Sequence, residues 1–390
     1  MLLSENMNGG IGVKSLNVVS SSEKAITPVE KKSLSIEFIG DSITCGYGVE
    51  GKNQYENFQT LTENFSKSYA YLTAQKLDAD YSAVCYSGHG IVSGYSTGEK
   101  NSDSIISDYY TKLSKFADYP GDWDFKNHKN DIVFINLGTN DYNYVTTAPE
   151  TRNDEFIEEY KNFLELVRKY NPTSYIICTV GIMGCEDMYP LIEKAVQLTA
   201  DDKISCYKSP VHDFQVDGIG SDWHPSVITQ QKNAYLVSDK ICKVIGRESD
   251  QVGLDVAAEA VYDVIWDKAT GANVYWFEGW GRMFSIGGGP AGEKADDIEA
   301  KVIGIELKKG GVYELEFDYS TQGIESIPII IRGKEEYFSG ELEGVKAETH
   351  FKKELTFDVS DKDCELVFQL GGIDGTFSLL LKNIKMNKIK

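Results

Sequence analysis

Short apolar runs alternate with helical patterns through the first two thirds of the chain. Runs rich in β-branched and aromatic residues predict buried strands at 35–39, 81–85, 131–137 and 175–180. Apolar positions at helical spacing predict helices over 68–77, 155–170 and 227–244. Because strand–helix alternation implies parallel strand pairing, this part of the chain predicts an α/β layer fold.

The pattern changes after about residue 249. Alternating strands separated by glycine-rich turns are predicted at 312–319, 327–332, 351–359, 365–370 and 376–384. Little helix is expected there, which favours an antiparallel β-sandwich. We therefore predict an N-terminal segment or linker over 1–33, an α/β domain over 34–248 and a β-sandwich over 249–390. A single strand at 10–19 is expected within the first segment.

Charge and composition indicate which classes of binding partner are disfavoured. The formal net charge is −21, whereas nucleic acids and anionic membranes are usually bound by basic surfaces, so both are disfavoured. Residues 1–10 show no secretory signal, and no run reaches the roughly 20 apolar residues of a membrane helix. The seven cysteines form no CxxC pair, which favours buried free thiols over a disulfide framework. A cytoplasmic location is expected, or secretion if a signal was removed.

A serine follows the first predicted strand directly. Ser42 lies at the C-terminal end of that strand, where α/β folds build their active crevice. A serine hydroxyl is a nucleophile near neutral pH only with a base beside it, and the alternative is that Ser42 caps a helix. Of the five histidines, His224 is the strongest candidate base, because Pro225 restrains its backbone and a helix starts just beyond.

Two further segments could supply donors to an oxyanion. Residues 86–90 (YSGHG) and 138–141 (GTND) each follow an apolar strand. Their glycines permit close backbone approach, and Asn140 carries a side-chain amide that can donate. Either segment alone is a weak signal, since glycine and asparagine are common in turns. Their shared position past strand ends favours one common crevice.

These blocks resemble a known family. GDSIT (40–44), SGHG (87–90), GTND (138–141) and DWHP (222–225) are similar, in order, to the four signature blocks of the SGNH, or GDSL-type, hydrolases. The resemblance implies a three-layer fold around a parallel sheet, with Ser42 as nucleophile and His224 as base. It also implies an oxyanion hole made of the Ser42 N–H, the Gly88 N–H and the Asn140 amide. The GxSxG elbow of α/β-hydrolases is absent around Ser42.

One position departs from the family pattern. Many members carry an aspartate three residues before the histidine, where this chain has Ser221, and aspartate stands instead at 222. The spelling GDSITCGYG with a later SDWHPS looks like carbohydrate esterase family 2, which includes acetyl xylan esterases. Some of its members use a Ser–His dyad oriented by a backbone carbonyl, and others use a nearby aspartate. Asp222 is therefore a candidate third member of a Ser–His–Asp triad. The alternative is that its carboxylate lies at the surface and points away from His224.

The domain order also differs from that subfamily, whose members usually carry a jelly-roll domain before the hydrolase. Here the preceding segment is too short, and the predicted β-sandwich follows instead, as a jelly-roll-like domain that resembles a carbohydrate-binding module. Its aromatic residues either stack on sugars or fill the sandwich core: Trp266, Trp276, Phe277, Trp280 and Phe284. In the first domain, Trp223 and Trp123 are candidate substrate-binding residues. The alternative is that their rings pack in the core.

The sequence thus predicts a serine esterase that removes acetyl groups from xylan or related oligosaccharides through an acyl-enzyme. No cofactor is needed, and no metal-ligand spacing is visible. The alternatives are a lipid or thioester hydrolase on the same fold, and a non-catalytic carbohydrate-binding protein. Activity should rise with pH through the pKa of His224, about 6.5 if unperturbed. The sequence leaves open whether the chain forms a homo-oligomer.

Overall fold

The computed structural model describes residues 5, 13–21, 26–27, 29–118, 120–266, 273–279 and 283–390. The chain forms two compact units, Met1–Ser249 and Asp250–Lys390. The division falls where the composition of the predicted elements changes. Over the described residues, no helix combines the length and the apolar character needed to cross a bilayer.

The first unit is built around one parallel sheet. Its strands are β1 (Ser35–Gly40), β2 (Asp80–Cys85), β3 (Ile132–Asn136), β4 (Tyr175–Thr179) and β5 (Ile204–Cys206). In space they run in the order β2-β1-β3-β4-β5. The helices of this unit's described residues are α1 (Ser42–Cys45), α2 (Tyr69–Lys76), α3 (Tyr142–Thr147), α4 (Pro149–Tyr170), α5 (Tyr189–Thr199), α6 (Phe214–Asp217) and α7 (Val227–Val244).

Alternate side chains of the central strands face two different helical layers. Val133 and Ile135 of β3 join a buried cluster with α4 and α5 residues such as Phe156 and Ile192. The residue between them, Phe134, points to the other face, where its ring lies 5.8 Å from that of Tyr69 on α2. Because successive strand residues point to opposite faces, the sheet is covered on both sides. The predicted three-layer α/β fold is confirmed.

The strand order places three strand ends side by side. From β1 the chain moves outward to β2 and then returns across β1 to β3. A sheet of this order has its topological switch point between β1 and β3, and ligands bind outside the carboxyl ends of the strands there. The segments that follow β1, β2 and β3 contain Ser42, Gly88 and Asn140, respectively. The fold therefore brings the predicted nucleophile and oxyanion donors to one edge.

The second unit is antiparallel. Its described strands are β6 (Val261–Ile265), β7 (Val274–Gly279), β8 (Met283–Gly288), β9 (Glu299–Leu307), β10 (Gly311–Gln322), β11 (Ser326–Arg332), β12 (Glu336–Glu343), β13 (Thr349–Phe357), β14 (Asp361–Gln369) and β15 (Phe377–Lys388). They form two sheets, β13-β10-β15-β8-β7 and β12-β11-β14-β9-β6. Phe317 of β10 and Phe368 of β14 belong to different sheets, and their rings lie 5.3 Å apart edge to face. The two sheets therefore pack face to face, as a β-sandwich does.

Some predicted elements are wrong or incomplete. The described part of the expected strand at 10–19, residues 13–19, is exposed coil and pairs with none of the three sheets. Helix α4 begins at Pro149, before the predicted start at 155, because its first turn is polar and shows no apolar spacing. Strands β5, β6, β7, β8, β9 and β12 were not predicted.

The aromatic residues of the second unit divide between core and surface. Phe284 is fully buried and contacts Trp276, with ring centroids 5.7 Å apart, so these two contribute to packing. Trp266 is 36% exposed. Trp280 and the side chain of Phe277 lie outside the described residues. The predicted sugar-binding role of this cluster stays a prediction.

Candidate active site

The nucleophile turn is a short helix capped by its own sequence. The Asp41 carboxylate accepts a hydrogen bond of 3.0 Å from the Ile43 N–H, so Asp41 caps α1 and Ser42 is its first residue. The alternative in which Ser42 itself is the cap is therefore excluded. Amide groups in the first turn of a helix have no partner within the helix. The Ser42 N–H accordingly donates to no group among the described residues.

A buried glutamine fixes this turn on the helical layer. Gln230 of α7 donates from Nε2 to the Ile43 carbonyl at 2.9 Å and accepts from the Tyr69 N–H at 2.7 Å. Tyr69 in turn shares a hydrogen bond of 2.8 Å with the Thr44 hydroxyl. All four residues are fully buried. Buried polar networks of this kind hold one arrangement when every member is satisfied, so α1 has a fixed position.

His224, the predicted base, lies within hydrogen-bond distance of Ser42. Its Nε2 lies 2.9 Å from the Ser42 Oγ, and its Nδ1 lies 2.8 Å from the backbone carbonyl oxygen of Asp222. A carbonyl can only accept, so Nδ1 carries the proton and Nε2 is free to accept the serine proton. Burial lowers the pKa of His224 to about 4, against the opposing effects of the Asp222 carbonyl and charge. The imidazole is therefore neutral near pH 7, as a general base must be.

The carboxylate of Asp222 is occupied elsewhere. Its Oδ2 accepts a hydrogen bond of 2.9 Å from the Tyr47 hydroxyl. The His224 ring instead meets the carbonyl of the same residue. Of the two alternatives left by the sequence, the geometry matches the Ser–His dyad oriented by a backbone carbonyl. Sequence reasoning missed Tyr47, because a tyrosine in a turn carries no signal of its partner.

The predicted oxyanion donors converge on the same edge. Gly88 adopts a φ of 75°, which favours glycine, and its N–H has no partner in the described part of the chain. The Asn140 amide donates to the His89 carbonyl at 2.9 Å, which fixes its orientation. Its contact with Asp41 is 3.4 Å, longer than a usual hydrogen bond, so the second amide hydrogen can serve an oxyanion.

Asp141 ties the two donor segments together. Its carboxylate is fully buried and accepts hydrogen bonds from the backbone N–H groups of Ile91, Val92 and Ser93, at 2.7 to 3.0 Å. Burial raises the pKa of Asp141 to about 6, although these hydrogen bonds act in the opposite direction. The residue directly after Asn140 thus holds the loop that follows Gly88. The sequence showed Asp141 only as a letter of the GTND block and gave it no role.

The fold also gathers a group of possible metal ligands that the sequence spacing did not show. Ligand atoms of Glu5, Cys45 and Glu63 lie within 4.8 Å of one another. Burial, with Glu5 nearby, raises the pKa of Glu63 to about 8, and burial also raises the pKa of the Cys45 thiol. Both groups are therefore protonated near pH 7 and would have to lose protons to bind a cation.

The two candidate tryptophans differ in position. Trp223 precedes His224 and is 50% exposed, with the ring of the exposed Tyr55 at 6.0 Å in an edge-to-face arrangement. Trp123 instead packs against His128, with ring centroids 4.5 Å apart, in the segment that leads into the start of β3. The nearby Phe125 stacks on Tyr170, which ends α4 before β4 begins. Trp123 thus packs on a neighbouring side chain, and its predicted part in substrate binding stays a prediction.

Two curated proteins are similar to this chain over part of its length. CelE, a cellulase/esterase of Acetivibrio thermocellus, is 34% identical over 226 residues, which is 56% of this chain and 26% of that protein. An acetylxylan esterase/glucomannan deacetylase of Cellvibrio japonicus is 26% identical over 178 residues, covering 46% of this chain and 47% of that protein. The chain spans only about a quarter to somewhat over half of the length of the curated relatives it matches.

A solved structure shares the fold. A family two carbohydrate esterase from Clostridium thermocellum, in complex with cellohexaose, has a TM-score of 0.51 and 32% identity, covering 57% of this chain and 67% of that chain. The family model described as GDSL-like Lipase/Acylhydrolase matches residues 36–290, well over half of the chain. This protein therefore belongs to the GDSL-like lipase/acylhydrolase family.

Proposed function

We propose that this chain is a carbohydrate esterase that removes acetyl groups from sugar hydroxyls. The observation that carries the proposal is the hydrogen bond of 2.9 Å between His224 Nε2 and Ser42 Oγ. The nearby Ser42 and Gly88 N–H groups donate to no group in the described part of the chain. A neutral imidazole at hydrogen-bond distance from a serine is the arrangement that activates the hydroxyl for acyl transfer. Support for the substrate class comes from relatives whose names contain esterase, acetylxylan esterase and deacetylase.

The geometry supports a two-step reaction. His224 accepts the Ser42 proton while Oγ attacks the ester carbonyl, and the tetrahedral oxyanion is held by the Ser42 N–H, the Gly88 N–H and the Asn140 amide. The C–O bond to the sugar then breaks, and the sugar oxygen leaves with the proton from His224. A water molecule, deprotonated by the same histidine, attacks the acetyl-serine and releases acetate and free Ser42. The chain's own residues supply every proton transfer in this scheme.

Two exposed aromatic rings support a sugar as the leaving group. Trp223, which precedes His224, and Tyr55, whose ring lies 6.0 Å from that of Trp223, expose 50% and 77% of their surface. The flat faces of such aromatic rings suit the C–H faces of a pyranose. The net charge of −21 fits a neutral saccharide and disfavours nucleic acid or an anionic membrane as partner. A cytoplasmic location remains a proposal, supported by the fact that none of the seven cysteines forms a disulfide.

The direct test is acetate release from acetylated xylo-oligosaccharides. Ser42→Ala and His224→Ala are each expected to reduce kcat by at least about a thousandfold, because removal of either dyad member disables the nucleophile. Ser238→Ala is the matched control: its buried hydroxyl donates to the Ala234 carbonyl at 2.7 Å within α7, and the variant should keep wild-type activity.

Parallel assays on acetyl and octanoyl esters separate the alternatives. Turnover of octanoyl but not acetyl esters would replace the carbohydrate proposal by a lipid hydrolase. No turnover of any ester, together with binding of xylo-oligosaccharides, would indicate a non-catalytic binding protein.

A further inference from the structure

The turn that carries His224 has an unusual backbone. Asp222 and Trp223 adopt φ values of 52° and 62°, so two consecutive residues with side chains lie in the left-handed region. Such residues are uncommon and persist only where their surroundings hold them. This conformation directs the Asp222 carbonyl to Nδ1 of His224. The orientation of the base therefore depends on whatever holds the turn.

The turn is mounted on the segment that follows the nucleophile. The Ser221 N–H donates to the Gly48 carbonyl at 2.9 Å, and the Asp222 N–H donates to the Glu56 carbonyl at 3.0 Å. The approach is close enough that a Cβ on Gly48 would lie 2.4 Å from the Ser221 carbonyl oxygen. These backbone contacts fix the entry to the turn, and the Asp222 side chain adds one more contact.

That contact is made by Tyr47. Its hydroxyl donates to the Asp222 carboxylate at 2.9 Å, and its ring lies 4.1 Å from the His224 ring. On its other side the ring stacks on Phe58 at 4.5 Å, so Tyr47 is buried between two rings. The Tyr47 N–H also donates to the Ser42 carbonyl at 3.0 Å. One residue thus contacts the nucleophile through its backbone, the base through its ring and the base-carrying turn through its hydroxyl.

We propose that Tyr47 is a positioning residue of the dyad and that the Asp222 carboxylate anchors its hydroxyl, instead of acting as the charged partner of His224. The inference rests on the proposed esterase function. We call the Tyr47–Asp222 pair the tyrosine clamp. It holds the left-handed turn so that the Asp222 carbonyl accepts the hydrogen bond from Nδ1 of His224.

Four variants test the tyrosine clamp. Tyr47→Phe keeps the ring stack and removes only the hydroxyl, and Asp222→Ala removes its acceptor. Each is expected to lower kcat about tenfold with KM unchanged, since a hydrogen bond to a charged group is lost and the base is misplaced. The double variant should lose no more than either single variant, because both remove the same interaction.

Asp222→Asn separates anchoring from charge. Asparagine can still accept from the Tyr47 hydroxyl and tolerates the left-handed region, so it is expected to keep activity within about twofold of the wild type. The matched control is Tyr337→Phe in the second unit, which removes a hydroxyl that donates to the Asp361 carboxylate at 2.6 Å. It should leave kcat unchanged.

The readout is chosen to work without a known sugar. The rate at which a fluorophosphonate probe modifies Ser42, followed by intact mass, reports activation of the serine directly, alongside kcat on an acetyl ester. Failure of the wild type to react would remove the proposed function itself. If the probe modifies Ser42 in Tyr47→Phe as fast as in the wild type, the proposal of the tyrosine clamp is overturned. A loss in Asp222→Asn as large as in Asp222→Ala would show that the charge at 222 is what His224 requires.

Discussion

The half-buried ring of His224 decides the pH range in which this site works. Its pKa is lowered to about 4 because burial disfavours the charged imidazolium. The sequence alone predicts the ordinary value near 6.5 for an unperturbed histidine. The difference arises from neighbours far apart in the chain, such as Tyr47, whose ring covers the imidazole. No local pattern around residue 224 contains that information.

The first prediction is the pH profile. A general base acts only when it is neutral. The lowered pKa of His224 therefore shifts the acid-side fall of kcat/KM to lower pH. We expect activity to be nearly constant between about pH 5.5 and 8 and to fall with a midpoint near 4. The profile should be measured at constant ionic strength, with circular dichroism at each pH to separate acid unfolding. A midpoint near 6.5 would mean that water reaches the ring.

At the residue scale, sequence reasoning named candidate reacting groups that the fold brings together, and it missed the residues that hold them in place. Ser42, Gly88, Asn140 and His224 could be predicted because each lies in a short block just past a strand or before a helix. The choice between the carboxylate and the carbonyl of Asp222 could not be predicted, since it depends on two φ angles and on Tyr47.

At the scale of elements, the site depends on loops that are held by buried carboxylates. Asp141, at the start of the segment after β3, binds three backbone N–H groups of the segment after β2. Together with the hydrogen bond from Asn140 to the His89 carbonyl, this bridge joins the loops that carry the two predicted oxyanion donors, Gly88 and Asn140. Loop geometry at a strand end is therefore set by one side chain as much as by the strands themselves.

The second prediction concerns this bridge. Asp141→Ala leaves buried N–H groups unpaired, and each such loss costs roughly 1–3 kcal/mol. We expect a decrease in unfolding free energy of at least about 3 kcal/mol and a loss of kcat of tenfold or more. Urea unfolding and acetate release check the two effects.

The control for that bridge is Asp124→Ala. Asp124 also accepts from backbone N–H groups, those of Lys126 and Asn127, but it is exposed. It should change stability by no more than about 0.5 kcal/mol. Equal effects of the two substitutions would contradict the assigned role of Asp141.

Element prediction succeeded where burial makes the pattern strong. The central strands β1 and β3 are buried on both faces and read as apolar runs. Strand β12 was missed because its residues are largely exposed and its apolar positions do not alternate cleanly. Strand β9 was missed although it is well buried, since its alanine, glycine and glutamate positions resemble a loop in composition.

At the scale of the whole molecule, every residue of the candidate site comes from the first unit. The predicted nucleophile, base and oxyanion donors, together with the proposed tyrosine clamp, all lie before Ser249. This unit has its own sheet, two helical layers and a buried core. A unit with a complete core can fold alone.

The third prediction follows from this division. Fragment 1–249 is expected to fold cooperatively and to hydrolyse small acetyl esters within about threefold of the full chain. Thermal unfolding and ester assays on the fragment and on 250–390 check this. Loss of small-ester activity in a folded fragment would assign the second unit a part in catalysis, whereas loss on polysaccharide alone would assign it a part in substrate binding.

The peptide carbonyl that orients His224 has a consequence for how this site changes over time. A carboxylate can be deleted by one codon change, but a main-chain oxygen is present whatever residue is encoded at 222. The position of the orienting carbonyl thus depends on the backbone conformation of the turn. Mutations affect it only by changing that conformation. Relatives that lack an acid near the histidine would then keep a working base, and searches that demand three side chains would overlook them.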